Sequence, residues 1–130
     1  MGHTVKAKCL DCGNEFTVSH DGGFFFHLLR CNKCGKTKSV NFRDLGELHL
    51  QYLKGLPGPY CVASSEHDKY VREHSSVEPI SENEYHKKVE AFAGKCKCNG
   101  KYCFDAPPRC PKCHSKQIAE NEDDILTFYD

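Results

Sequence analysis

Apolar and polar positions alternate early in the chain and then change period. Glu15 to Val18 alternates, Asp21-Gly22-Gly23 is a turn signal, and Phe24 to Leu29 is rich in β-prone side chains. This reads as a hairpin whose strands run from a first cysteine pair out to the glycine turn and back to a second pair. Thr37 to Phe42 offers a third strand with Val40 and Phe42 on one face. From Asp44 the spacing becomes helical: Leu45, Leu48, Tyr52, Leu53 and Leu56 form a stripe, Asp44 and Glu47 match a capping box, and the helix is expected to end near Gly55. Leu56-Pro57-Gly58-Pro59 breaks the backbone, and Ser64 to Ser76 is polar enough for either a short helix or an irregular surface segment. A further helix is expected after Ser81, which pairs with Glu84 as a second capping box, carries Tyr85, Val89 and Phe92 on one stripe, and stops at Gly94. Ile118 and the strand-like Ile125 to Tyr129 flank an acidic run, Glu120 to Asp124, expected to be a solvated loop.

Composition limits what these elements hold together. The 130 residues are 38% hydrophobic and the mean hydropathy is -0.64, so the apolar core is modest and needs other support. Ten cysteines offer it. No run approaches the roughly 18 apolar residues of a membrane span, and the early charges Lys6, Lys8, Asp11 and Glu15 do not suit a signal peptide. The expected location is cytoplasmic, where thiols stay reduced and ordered cysteine pairs are read as metal ligands. Basic and acidic residues balance at 18 each. A divalent ion in four thiolates adds about -2, so overall charge gives no argument for nucleic-acid binding.

The first motif is Cys9-Leu10-Asp11-Cys12-Gly13, followed after Cys12 by 18 residues and then by Cys31-Asn32-Lys33-Cys34-Gly35. Two C-x2-C pairs at that separation suit a structural zinc site, because a tight turn aims both sulfurs at one ion and the following glycine relieves backbone crowding. Cys9, Cys12, Cys31 and Cys34 are therefore expected to form one site. The second set is less regular: Cys96-Lys97-Cys98-Asn99-Gly100, with Cys103 nearby, and Cys110-Pro111-Lys112-Cys113-His114. Cys96, Cys98, Cys110 and Cys113 are expected to form the second site, with Cys103 as an alternative ligand. Two zinc ions per chain follow. Four thiolates leave no open position for water or substrate, which argues against zinc hydrolysis and for a structural role.

Residues 5 to 43, with two Cys-x-x-Cys-Gly knuckles, resemble the zinc-ribbon superfamily. That resemblance implies a metal and a fold shared by transcription, translation, replication and protein-docking modules. Cys110-Pro111-Lys112-Cys113 is also similar to a rubredoxin knuckle, which implies iron and electron transfer, although His114 stands where that pattern has glycine. The expected architecture is α+β: an N-terminal zinc ribbon at 1–43, a helical connecting segment at 44–93 and a C-terminal zinc-ribbon-like module at 94–130.

Other residues have plainer readings. Most of the eight histidines stand in polar surroundings and are read as surface groups, while His27 and His114, near cysteines, are candidates for a supporting or replacement ligand. Cys61 is read as a buried thiol, Phe24 to Phe26 as core cover or a stacking face, and the basic residues around both cysteine sets as either phosphate contacts or compensation for thiolate charge. The expected function is a non-enzymatic binding or adaptor protein whose partner is a protein or a nucleic acid, with no membrane role and no evident small-molecule substrate. A redox or metal-handling protein with iron or exchangeable metal at the C-terminal cluster is the alternative, and a thiol enzyme using Cys61 or Cys103 is a third.

Overall fold

The computed structural model describes residues 2–61 and 64–129. It is α+β, as the change of period predicts, with two three-stranded antiparallel sheets and four helices among the described residues. In chain order the elements are β1 (Gly2–Cys9), β2 (Glu15–His20), β3 (Phe26–Cys31), β4 (Thr37–Asn41), α1 (Phe42–Leu45), α2 (Glu47–Gly55), α3 (Ser65–His74), α4 (Glu82–Ala93), β5 (Tyr102–Cys103) and β6 (Ile118–Tyr129). One sheet has the order β2-β1-β6 and the other β4-β3-β5.

The expected hairpin across Asp21-Gly22-Gly23 does not form, since β2 and β3 lie in different sheets. The hairpin turns are the cysteine knuckles themselves. Residues 9–14 turn β1 back onto β2, with Cys9 N donating to Asn14 O at 2.8 Å and Gly13 N to Cys9 O at 3.0 Å. Residues 31–36 turn β3 onto β4 in the same way, through Cys31 N to Lys36 O and Gly35 N to Cys31 O. Each knuckle closes with a pair of backbone hydrogen bonds across the turn, against the single Gly23 N to Phe26 O bond of the glycine turn, so the knuckles make the hairpins.

The third strand of each sheet comes from the other end of the chain. β6 pairs with β1 and β5 pairs with β3, so segments 1–43 and 94–130 do not close separately. The acidic run expected as a loop is instead part of β6, with the register slipping between Val5 opposite Ile125 and Lys6 opposite Asn121. That slip places residues 122–124 in a bulge. Glu120 meets His20 at 2.9 Å and Asp124 meets Lys6 at 3.5 Å, so strand pairing is compatible with this acidity.

The larger core covers the β4-β3-β5 sheet with the helices: Leu29, Val40, Tyr52, Tyr85 and Val89 are buried there. The smaller one, Val5, Ala7 and Val18, sits on the other sheet. The expected helix over Leu45 to Gly55 is broken at Gly46 (φ 58°) into α1 and α2, and Asp44 lies inside α1 without capping it. Ser81 does cap α4, accepting from Glu84 N at 3.2 Å. The polar stretch left open between two readings is helix α3 over most of its length.

Two buried histidines organise the centre of the larger core. Tyr85 Oη lies 2.8 Å from His27 Nε2 and 2.9 Å from His49 Nδ1. The hydroxyl donates to one neutral imidazole and accepts from the other. Tyr52 stacks on Tyr85 at 4.0 Å and Phe42 on His49 at 3.9 Å. His27 is therefore a core hydrogen-bonding group rather than a metal ligand. Phe24 and Phe26 are half-buried, whereas Phe25 is 75% exposed, so the Phe24 to Phe26 run covers the core only in part.

Candidate metal centres

Each knuckle is built on a repeated backbone pattern. In the three C-x2-C knuckles the first cysteine's amide donates to the carbonyl five residues on, and the amide four residues on donates back to the cysteine carbonyl. These bonds are Cys9–Asn14 with Gly13–Cys9, Cys31–Lys36 with Gly35–Cys31, and Cys110–Ser115 with His114–Cys110. The residue four on takes a left-handed φ: 76° at Gly13, 77° at Gly35 and 64° at His114. In the C-x-C knuckle both spans are one residue shorter, Cys96 N to Gly100 O and Asn99 N to Cys96 O, with Asn99 at φ 70°. The missing spacer removes one residue from the turn without removing the turn.

These four knuckles bring together eight of the ten cysteines, in an arrangement that corrects the sequence-based grouping. Cys9 and Cys12 meet Cys110 and Cys113, while Cys31 and Cys34 meet Cys96 and Cys98; within each group the sulfurs all lie within 4.8 Å of one another. Thus Cys9, Cys12, Cys31 and Cys34 are not one site, and the C-terminal pairs are not another. The reason is topological. The glycine turn does not fold β3 back on β2, whereas β6 on β1 carries Cys110 and Cys113 to the first knuckle and β5 on β3 carries Cys96 and Cys98 to the second.

The four-sulfur groups have the geometry of metal sites. Sulfur separations are 3.5 Å for Cys9–Cys113, 3.6 Å for Cys12–Cys110, 3.3 Å for Cys31–Cys98 and 3.6 Å for Cys34–Cys96. A tetrahedral ion with metal–sulfur bonds of about 2.3 Å needs sulfurs about 3.8 Å apart, close to these values, whereas a disulfide needs about 2.05 Å. All ten cysteines are free. Backbone amides already face the sulfurs, with Cys12 N on Cys9, Lys33 N on Cys31 and Lys112 N on Cys110, each at 3.4 Å, and Asn14 Nδ2 reaches Cys110 at 3.7 Å. Such donors favour thiolate over thiol.

Electrostatics within each group also suits a cation. The amide of Cys98, then the Tyr102 hydroxyl, lower the Cys96 thiol to about 6 against opposing burial. Burial pushes Cys110 up, yet the amides of Cys113 and Lys112 with the neighbouring Cys12 and Asn14 bring it down to about 6. Their companions move the other way: burial and the adjacent sulfurs push Cys34 up to about 12, and Cys113 reaches about 12 through Cys9, burial and its neighbours despite an opposing amide bond at Ser115. Four thiolates cannot share so small a space without a positive centre, and a bound divalent ion reverses that penalty.

The two centres touch through their knuckles. A Cβ on Gly35, beside Cys34, would lie 2.8 Å from Cβ of Arg109, beside Cys110; within the second centre, one on Gly100 would lie 2.4 Å from Cys31 Sγ. The remaining cysteines stand apart. Cys103 is not in either four-sulfur group and lies with Glu90 and Asp105, while Cys61 Sγ approaches Ser64 Oγ at 3.2 Å. His114 contributes its backbone, accepting from Arg109 Nη1 at 3.0 Å. The nesting of one group inside the other is the feature that sequence reasoning missed. The Asn99-Gly100 pair, a turn signal in the sequence, does close the shortened knuckle.

Among the described residues no helix is long and apolar enough to cross a membrane. No curated protein and no solved structure matches the chain. A family model matches residues 5–119, a span that contains both cysteine groups. The chain belongs to that family, described as a domain of unknown function (DUF8255).

Proposed function

We propose that this protein is a non-enzymatic binding scaffold held in shape by two structural zinc ions, one in Cys9, Cys12, Cys110 and Cys113 and the other in Cys31, Cys34, Cys96 and Cys98. The observation that carries the reading is the closure of all eight of these cysteines into two four-sulfur groups, each drawing on both ends of the chain. All-thiolate tetrahedral sets suit zinc, and four protein ligands leave no position for a reacting water. The two small cores support the same reading, since structural zinc supplies about 10 to 16 kcal/mol per site in small domains. The scaffold would present the knuckles and the two sheets to a protein or nucleic-acid partner.

Elemental mass spectrometry of the purified protein tests this directly. Two zinc ions per chain, no visible absorption and loss of the folded far-UV signal on chelation are the expected results. Iron-thiolate colour would instead move the protein to redox or metal-handling chemistry. The Cys9 group is the one to watch, because Cys12 and Cys113 are exposed there, whereas the Cys31 group has no exposed cysteine.

A further inference from the structure

We infer that the cleft between the two four-sulfur groups binds the phosphates of a single nucleic-acid strand, an inference that rests on the scaffold reading above and specifies its partner. The cleft has a volume of about 500 Å³. β2 and β3 form its floor, and the knuckles of both centres form its walls, bringing Arg30, Lys36, Arg109 and His114 to one space with no carboxylate lining it.

Among the described residues neither arginine has a carboxylate at salt-bridge distance, Glu120 acting on Arg30 only through space. Arg30 spends its guanidinium on the carbonyl oxygens of Ser19 and Ala106. Arg109 Nη1 donates to His114 O, while Arg109 Nε is buried with no hydrogen-bond partner. Nor do these cations neutralise the sulfurs by contact, since the donors to sulfur are backbone amides, Asn14 and the Tyr102 hydroxyl. A half-buried guanidinium with one unfilled N–H and no carboxylate in contact, as at Arg109, is stabilised by an external oxyanion, and phosphate suits arginine's donor geometry.

An extended polyanion fits better than a lone phosphate because the cleft does not end at the knuckles. Phe16 and Thr17 line both it and a second cleft of about 670 Å³ that carries Lys6 and Lys8. Phe16, half-buried between the two, offers a ring on which a base can stack as phosphates sit on either side. Glu15 and Glu120 also line the second cleft, so the stronger phosphate contacts belong to the first.

The test is fluorescence anisotropy of a labelled oligothymidylate of about twelve nucleotides with the full metal-loaded chain over a salt series. Expected is salt-sensitive binding that Lys36→Gln and Arg109→Gln each weaken several-fold, each reducing the slope of log K against log salt by about 0.7. Lys88→Gln, an exposed change on α4, should leave binding unaltered. Lys36 is exposed, so its variant tests charge even if Arg109→Gln disturbs the fold. Absence of binding at low salt, an equal loss in Lys88→Gln, or competition by polyglutamate as effective as by unlabelled oligonucleotide would each overturn the inference. Equal affinity for thymidine monophosphate would overturn the strand. Metal content and far-UV signal of the same samples separate the two readings: if both are intact while the oligonucleotide fails to bind, the scaffold stands and the strand falls.

Discussion

Gly13 and Gly35 hold the same place in two knuckles, at φ 76° and 77°, but their surroundings differ. Alanine at either should cost about 1 to 2 kcal/mol for the left-handed backbone. Only Gly35→Ala adds a clash, because its Cβ would meet Arg109 while nothing lies within 4 Å of the corresponding atom on Gly13. Urea unfolding of the metal-loaded variants should rank Gly35→Ala the less stable; equal midpoints would deny the contact between knuckles a role. A second prediction concerns His27 and His49, which burial holds down to about 3 and about 4 from an ordinary value of 6.5, with like-charge neighbours adding to the effect at His27. The unfolded chain binds these protons first. The stability from keeping the two rings neutral is therefore complete above about pH 6.5 and falls as pH drops toward 4 and 3, by at most about 1.4 kcal/mol per unit for each ring. His49→Gln can still meet Tyr85 Oη and should flatten this acid slope relative to the parent, with metal release common to both. At this scale the sequence was informative about chemistry and silent about neighbours: the C-x2-C spacings pick out sulfurs on turns, but nothing in them says which turn faces which.

Among the elements, α4 is the one whose boundaries were most legible, because its cap and its stripe are both local. Ser81→Ala should lower stability by about 1 kcal/mol through loss of the bond from Glu84 N, and a change within error in thermal unfolding would show that cap to be idle. The strands were legible as segments but not as pairs. Asp21-Gly22-Gly23 has hairpin composition, yet the knuckles make the hairpins, and a sequence read for turn residues weights glycine above cysteine. β6 was obscured for a related reason: its acids look like a loop until Lys6 and His20 are placed across from them. The helix over Leu45 to Gly55 kept its apolar period across Gly46, where the backbone breaks.

In the whole molecule the two centres are nested. The group holding Cys34 and Cys96 closes an inner loop, and the group holding Cys12 and Cys110 closes an outer one around it. Closing the outer loop first restricts roughly a hundred residues, whereas after the inner one is shut it restricts roughly thirty, a difference of about 1 kcal/mol in loop entropy. Metal titration of the metal-free chain should therefore show positive coupling of about fivefold between the ions. Independent binding would mean that the unloaded chain is already closed. Cys34→Ser should likewise weaken metal at Cys9, Cys12, Cys110 and Cys113 as well as at its own group.

The nesting also bears on how the chain is made. As synthesis proceeds, Cys9, Cys12, Cys31 and Cys34 leave the ribosome long before the C-terminal pairs that complete their groups, and their spacing is that expected of a self-sufficient zinc ribbon. An ion captured then sits between the wrong knuckles and has to be surrendered before β5 and β6 can dock. Refolding from denaturant in the presence of zinc should thus be slower than refolding with zinc withheld until dilution is complete, and a cell that makes this protein gains from keeping its newest thiols unmetallated until the last cysteine is out.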